Sequence, residues 1–493
     1  MKPLIAGMLL LSLVACEKEE ISLENNDNTK LRELVSNLLL TGSPLTTEHD
    51  IPNIADKEAQ LGMELFFSKS MGADQDSACV TCHHPSLGGG DNLSLPIGTE
   101  SDEPDLLGVG RNNQLAANNS EGGPPVPRNA PTTFNTALWD QFMFHDGRVE
   151  SLAKIVHANG VGDAGIRTPN STSFGVADPL AGQNLVQAQA RFPVTSREEM
   201  KGFSHDSYSD QTIREFLAGR IGGYGDAAAD LIDTDYWLTK FRDVFDSPAG
   251  TAVELVTEQN ISFVIGEYER SQVFVNNPWK QYVEGNDDAI SEEAKAGAIL
   301  FFSTQGEGGA NCASCHAGDF FTNESFHNVA MPQLGSGKGD GDDGSKDFGR
   351  FRETGNALDK FAFRTPSLLN VEVTGPWSHA GAYTSLQSAV RHMLNPQKAI
   401  NEYDFNQLNQ TDIRNLDQLV VNTQEARDAA NFEIEEVNFS DKQVDDIVAF
   451  LQTLTDPCVK DRECLAAWIP DSTVISDPNG DQLNAVDVGG DLY

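Results

Sequence analysis

Cys79-Val-Thr-Cys82-His83 and Cys312-Ala-Ser-Cys315-His316 each set two thiols three positions apart with an imidazole directly behind the second. That arrangement suits covalent haem attachment. The two thiolates add to the vinyl groups of one porphyrin, and the adjoining His is held against the iron as proximal ligand. A zinc or redox Cys-x-x-Cys can precede His by accident, but seven Cys and ten His in 493 residues make two accidental pentads too rare a coincidence. The reading is two haem c groups, one held by Cys79, Cys82 and His83, the other by Cys312, Cys315 and His316.

The elements that must position these groups follow a repeat. "LGMELFFS" at 61–68 returns as "AGAILFFS" at 296–303, "RNAPTTFN" at 128–135 as "RTPSLLN" at 364–370, and "FHDGRVESL" at 144–152 as "SHAGAYTSL" at 378–386. Three echoes in one order predict two related domains from an internal duplication. Helical spacing around Phe263, Val264 and Tyr268, and around Val444, Ile447, Val448, Leu451 and Leu454 behind a Ser440 cap, ends each half. The expected fold is mainly α, with two tandem cytochrome c-like helical domains and long Gly- and Pro-bearing loops. The expected boundaries are a signal peptide at 1–16, an acidic tether at 17–50, an N-terminal haem domain at 51–270, a linker at 271–290, a C-terminal haem domain at 291–456 and a tail at 457–493. No shape is legible for 153–260.

Lys2 followed by a short apolar run ending in Leu13-Val14-Ala15-Cys16 resembles a bacterial lipobox, with Cys16 as the lipidated residue. Twelve apolar residues are too few to span a bilayer. Location on the periplasmic side of a Gram-negative membrane or on the cell surface, lipid-anchored, follows. Cys458 and Cys464 remain, and in an oxidising compartment they are expected to form a disulfide. Seventy-four acidic against thirty-four basic residues give a net charge of −40, which argues against nucleic acid and against an anionic membrane patch. The stretch "GKGDGDDGSKD" at 337–347 lacks the spacing of an EF-hand and reads as a solvated loop.

The other axial position of each iron decides its work: filled by Met it moves electrons, left open it accepts a small oxidant. Met393 in "SLQSAVRHMLNPQ" is a candidate ligand, and core packing is the ordinary alternative. Over roughly residues 55 to 455 the chain resembles the bacterial di-haem cytochrome c peroxidases, within the group that also holds MauG. The resemblance rests on both pentads, "RNAPTTFN", "HDGR", "FHNVAMP", "GRFRETG" and "FRTPSLLNVEVTGPWSHAGAYTSLQSAVRHM". It implies Met393, fourteen residues after His379, as ligand of the electron-transferring haem, where MauG-type enzymes use Tyr. It also implies one calcium ion between the domains, on Asn129 and the carbonyls of Thr374 and Pro376.

At the first haem the chain departs from that pattern. No His stands between His84 and His145 to block the iron, His145 replaces the Trp of "WDGR", and the family Gln falls on Ile155. Trp139 or His145 is then left as electron relay. "FPVTSREEM" looks like a lengthened "PVEM" run, making Glu199 the distal acid–base group and Glu198 its reserve; a solvated acidic pair is the plain alternative. The resemblance implies reduction of hydrogen peroxide to water with electrons from a small cytochrome c or cupredoxin, in a chain that commonly pairs as a homodimer. The alternatives are a MauG-like enzyme oxidising a protein or organic substrate through high-valent haem, and a non-enzymatic di-haem electron carrier. His49, His84, His157, His205, His327, His379 and His392 read as structural, with His84 exposed or bonded to a propionate. Pyridine haemochrome analysis of the purified protein should return two haems c per chain; fewer would refute the double-pentad reading.

Overall fold

The structure, a computed structural model, describes residues 27–113 and 123–493, so the signal segment and Cys16 lie outside the described residues. It is mostly helical. Among the described residues the sheet is confined to three short antiparallel strands, Phe142–Met143, Val149–Ser151 and Ile166–Arg167, paired in chain order, and a second pair, Phe326–His327 with Phe363–Arg364.

In the first half the helix Lys57–Phe66 crosses Glu258–Arg270, which buries Ile261, Val264, Ile265 and Tyr268 at i, i+3, i+4 and i+7. In the second half Glu292–Phe302 crosses Asp441–Gln452. The latter is capped by Ser440, whose Oγ accepts the Gln443 N–H, and it buries Val444, Ile447 and Leu451. Glycine makes both crossings possible: a Cβ on Gly62 would fall 1.8 Å from the Val264 carbonyl oxygen, and one on Gly297 1.8 Å from that of Asp446. The crossings are followed by another shared bond set. Asn135 N–H donates to Gln272 O and Asn135 Oδ1 accepts from Phe274 N–H; Asn370 N–H donates to Leu454 O and Asn370 Oδ1 accepts from Asp456 N–H.

Three expected segments differ from what is seen. Within the expected tether, residues 27–37 are helical and Leu31, Val35 and Leu40 are buried in the second-half core. Their apolar stripe is thin among polar neighbours, and it needs Trp279 and Tyr282 to cover it. The expected linker holds those two rings on the helix Pro278–Val283, where they are fully buried. The expected tail returns to the first half: Val459, Leu465, Leu483 and Ala485 join its core, and Tyr268 donates its hydroxyl to Trp468 O. Within it Cys458 and Cys464 are disulfide-bonded. Each end of the described chain thus packs on the opposite half. The region 153–260 forms the helices Leu185–Ala190, Asp210–Gly222 and Thr234–Val244 around the first core.

Gly297→Ala should force the two second-half helices apart and lower unfolding free energy by roughly 2–3 kcal/mol, read by denaturant titration. An unchanged midpoint would show that the crossing tolerates the extra methyl.

Candidate functional site

Both pentads begin on a short 3₁₀ turn, Cys79–Thr81 and Cys312–Ser314. The His that follows is fixed in the same way each time. His83 Nδ1 lies 3.1 Å from Gly89 O and His316 Nδ1 3.0 Å from Phe321 O, with Pro131 O and Pro366 O as further carbonyl partners. A carbonyl only accepts, so Nδ1 carries the proton and the lone pair is left on Nε2, which bonds to no group among the described residues. Burial lowers the pKa of His83 and brings that of His316 down to about 4, so both rings are neutral at physiological pH. Both rings and the thiols of Cys79, Cys82 and Cys312 stand deep among protein atoms, and all four pentad thiols are unpaired and keep some accessible surface. Thiol pair and neutral imidazole fit a covalently attached haem at each pentad.

The two sites are unlike. The second pentad lies at the surface, with Asn311, Ser314, Ala317 and Gly318 exposed. The first is covered. His84, expected to be exposed or bonded to a propionate, is instead 1 % exposed, edge-on to Phe67 and tilted against Tyr493, because the C-terminal segment arrives over it.

Glu199 sits on the single π-turn Arg197–Lys201, whose Ser196 cap accepts the Glu199 N–H. Its neighbour Met200 has Sδ 4.0 Å from Cys79 Sγ, and the Glu199 charge is felt at Cys82, so the turn lies beside the pentad. Burial raises the Glu199 carboxyl, while Arg148 and Lys338 pull it back. Glu198 turns away and pairs with Arg197 at 2.8 Å. Two further carboxyls lie near the first pentad and escaped notice in the sequence: Asp91, pushed up by burial to about 7, and Glu269, pushed up to about 8. Nothing in their spacing marks them.

Met393 is half-buried on the helix Leu386–Leu394, whose Val390 and Leu394 pack into the core that takes in Cys312 and Phe321. The other histidines have protein partners. His392 lies between Tyr383 Oη at 2.8 Å and Val329 O at 3.0 Å, and His327 pairs with Glu433 at 2.6 Å. His157 stacks on His49, and His205 meets Ser204 and Asp74. Ile155 is exposed.

The seam between the halves is reciprocal. Asn129 N–H donates to His379 O, and Arg364 N–H donates to His145 O. Arg128 is buried against Asp146 of its own half and Asp347 of the other, with Nε 2.6 Å from Asp347 Oδ2. Arg364 lies 3.4 Å over the Trp139 ring, which meets Phe320 edge-on at 5.1 Å. His145 Nε2 donates to Asn129 O, and His379 lies flat on Phe363. The Asn129 side chain donates to Leu93 O and Ser94 O; Thr374 is half-buried, and Pro376 lines a cavity of about 490 Å³ at the seam with Gly88, Val373 and Trp377.

The sequence pattern of the family described as "Di-haem cytochrome c peroxidase" matches residues 56–288. Over that segment the chain is similar to this family. The methylamine utilization protein MauG of Methylorubrum extorquens is 24% identical over 415 residues, which is 83% of this chain and 82% of that protein. The cytochrome c551 peroxidase of Pseudomonas aeruginosa is 25% identical over 70% of this chain and 73% of its own length. The crystal structure of a MauG-like protein associated with microbial copper homeostasis superposes with a TM-score of 0.51 at 17% identity, covering 85% of this chain and 97% of that one. That likeness is one of fold.

Burial pushes the Asp347 carboxyl up, but Arg128, His379 and the Gly349 N–H together hold it at about 2. A carboxyl depressed in the folded state adds stability above its unfolded value of about 4, and that stability is lost as pH falls from about 4 through 2. Arg128→Met should leave two buried carboxylates facing each other and cost about 3–5 kcal/mol at pH 7, with a smaller cost near pH 3. An equal cost at both pH values would sink the ion-triad account.

Proposed function

We propose that the protein reduces hydrogen peroxide to water at the first pentad, with electrons entering through the second from a small cytochrome c or cupredoxin. The observation that carries this reading is Glu199, a half-buried carboxyl without an ion pair among the described residues, on the turn whose Met200 Sδ lies 4.0 Å from Cys79 Sγ. A haem held by Cys79, Cys82 and His83 would supply the redox chemistry that peroxide reduction needs. Cleaving the O–O bond requires that a proton leave the near oxygen and return to the departing one, so that H₂O₂, two electrons and two protons give two waters. Glu199 is the group for that transfer. His83, with its Nδ1 proton committed to Gly89 O, stays neutral and fixed behind the iron.

A carrier delivers one electron at a time, whereas peroxide takes two. His316 and Met393 would saturate the second iron, and the exposed residues about Cys312 bring that site to the surface for a carrier. Trp139, between Phe320 and the Arg364 guanidinium, suits the relay between them. In the same reading Asn129 Oδ1 with the Thr374 and Pro376 carbonyls holds a calcium ion across the seam. Cys16 anchors the chain to lipid, facing the periplasm or the cell exterior, and two chains pair as a homodimer. The absence of a His between His84 and His145 favours one second reading, oxidation of a protein or organic substrate as in a MauG-like enzyme. Rapid turnover of reduced cytochrome c with peroxide decides for the peroxidase.

Glu199→Gln should lower kcat by roughly 10²–10⁴ with haem content unchanged, measured as peroxide-dependent oxidation of a reduced cytochrome. A loss under threefold would remove Glu199 from the chemistry. Met393→Ala should abolish one low-spin ferric signal in the electron paramagnetic resonance spectrum and leave the first site as it was. A spectrum identical to wild type would exclude Met393 as ligand.

A further inference from the structure

Glu199 belongs to the first half, but the segment beneath it is clamped to the second. Gly98 lies under the turn, where a Cβ would fall 2.3 Å from Glu199 O, and Thr99 N–H donates to Glu198 O. The same segment is tied on its other side: Ser94 Oγ donates to Gly381 O at 2.7 Å, Gln410 exchanges two bonds with the Leu95 backbone, and a Cβ on Gly335 would meet Leu95 Cδ1 at 2.5 Å. From Gly335 the chain runs directly into the Gly-Asp loop at 337–347, and its first side chain of any length is Lys338.

That loop holds its own backbone firmly. Lys338 N–H donates to Lys346 O at 3.0 Å, Arg352 donates to Lys338 O at 3.1 Å, and Asp340 is engaged by Arg352 and by the Phe348 N–H. The Lys338 ammonium, in contrast, makes no hydrogen bond and no ion pair among the described residues, though it is largely enclosed by protein. Such a group is costly to bury without a counter-charge. The groups facing it are Glu199 and Asp146, with Arg128 and Arg148 of like charge. Asp146 is committed to Arg128 and Arg148, and Glu198 to Arg197. Glu199 makes no ion pair among the described residues and is itself faced by Arg148, Lys338, Glu198 and Ser196.

We propose that Lys338, reaching across from the second half, is a positioning residue whose ammonium holds Glu199 in the ionised form that accepts the peroxide proton. The proposal rests on the reading of Glu199 as acid–base group. Burial, Arg128 and Arg148 bring the Lys338 ammonium down to about 8, so it is charged through the acidic and neutral range in which Glu199 must ionise. Removing that charge should move the Glu199 titration upward, and the charge-preserving Arg should restore it.

The test uses the holoenzyme, comparing wild type with Lys338→Met, Lys338→Arg, Glu199→Gln and the double variant Lys338→Met/Glu199→Gln. Two quantities are followed against pH: kcat/KM for peroxide, and fluoride affinity of the ferric first haem by absorbance, in which the distal base takes up a proton. Lys338→Met should raise the acidic limb of both profiles by about one pH unit, a loss of roughly tenfold in kcat/KM on that limb. Lys338→Arg should keep the wild-type limb. Within Glu199→Gln, which has no such limb, Lys338→Met should change nothing further. An unmoved limb in Lys338→Met, with Glu199→Gln still abolishing it, overturns the role of Lys338 alone. A limb that survives Glu199→Gln overturns the underlying reading of Glu199. A low-spin first haem in wild type that becomes high-spin in Lys338→Met means that Lys338 binds the iron itself, and this too overturns the proposal.

Discussion

A neutral imidazole with its Nδ1 proton committed to a main-chain carbonyl is the interaction on which the rest depends. His83 and His316 are buried far enough that protonation is disfavoured, and the carbonyls of Gly89 and Phe321 settle which nitrogen keeps the proton. Those carbonyls are themselves placed by the long segments that follow each pentad. Gly89 O also accepts the Thr133 N–H, which brings "RNAPTTFN" against the ligand. Thr133 and Asn135 in turn bond to Gln272 and Phe274, behind the helix that crosses at Gly62. Ligand geometry and helix crossing are thus one connected structure, and the second half repeats most of it.

Difference is laid over that repetition. The half bearing Met393 opens its pentad to solvent, as suits a site that exchanges electrons with a docked carrier. The half bearing Glu199 is enclosed and surrounded by Glu199, Asp91, Glu269, Arg148 and Lys338, as suits a site that must move protons with little water. Arg128, Asp146 and Asp347 join the two environments through buried charge, so a change at the seam is felt on both sides.

What was legible in the sequence was what spacing encodes. The pentads, the mainly helical fold and the echo of Gly62 in Gly297 follow from local pattern, whereas Glu199 came only through the family resemblance. The tertiary reach of individual groups did not. Lys338 lies in a Gly-Asp run that reads as solvent, and its mutual influence with Glu199 arises only in the folded chain. Leu31 and Val35 sit in a polar stretch that reads as a tether, because their partners Trp279 and Tyr282 lie some 250 residues away. His84 looked exposed because the segment that covers it is the last of the chain.

The crossing of the two chain ends bears on the order of assembly. On a ribosome the Cys79 site emerges long before Leu483, Ala485 and Tyr493, the residues that complete the core around it or lie over His84. The first pentad is therefore closed over only when the last segment packs on the first half, so its thiols are more open before that step than after it.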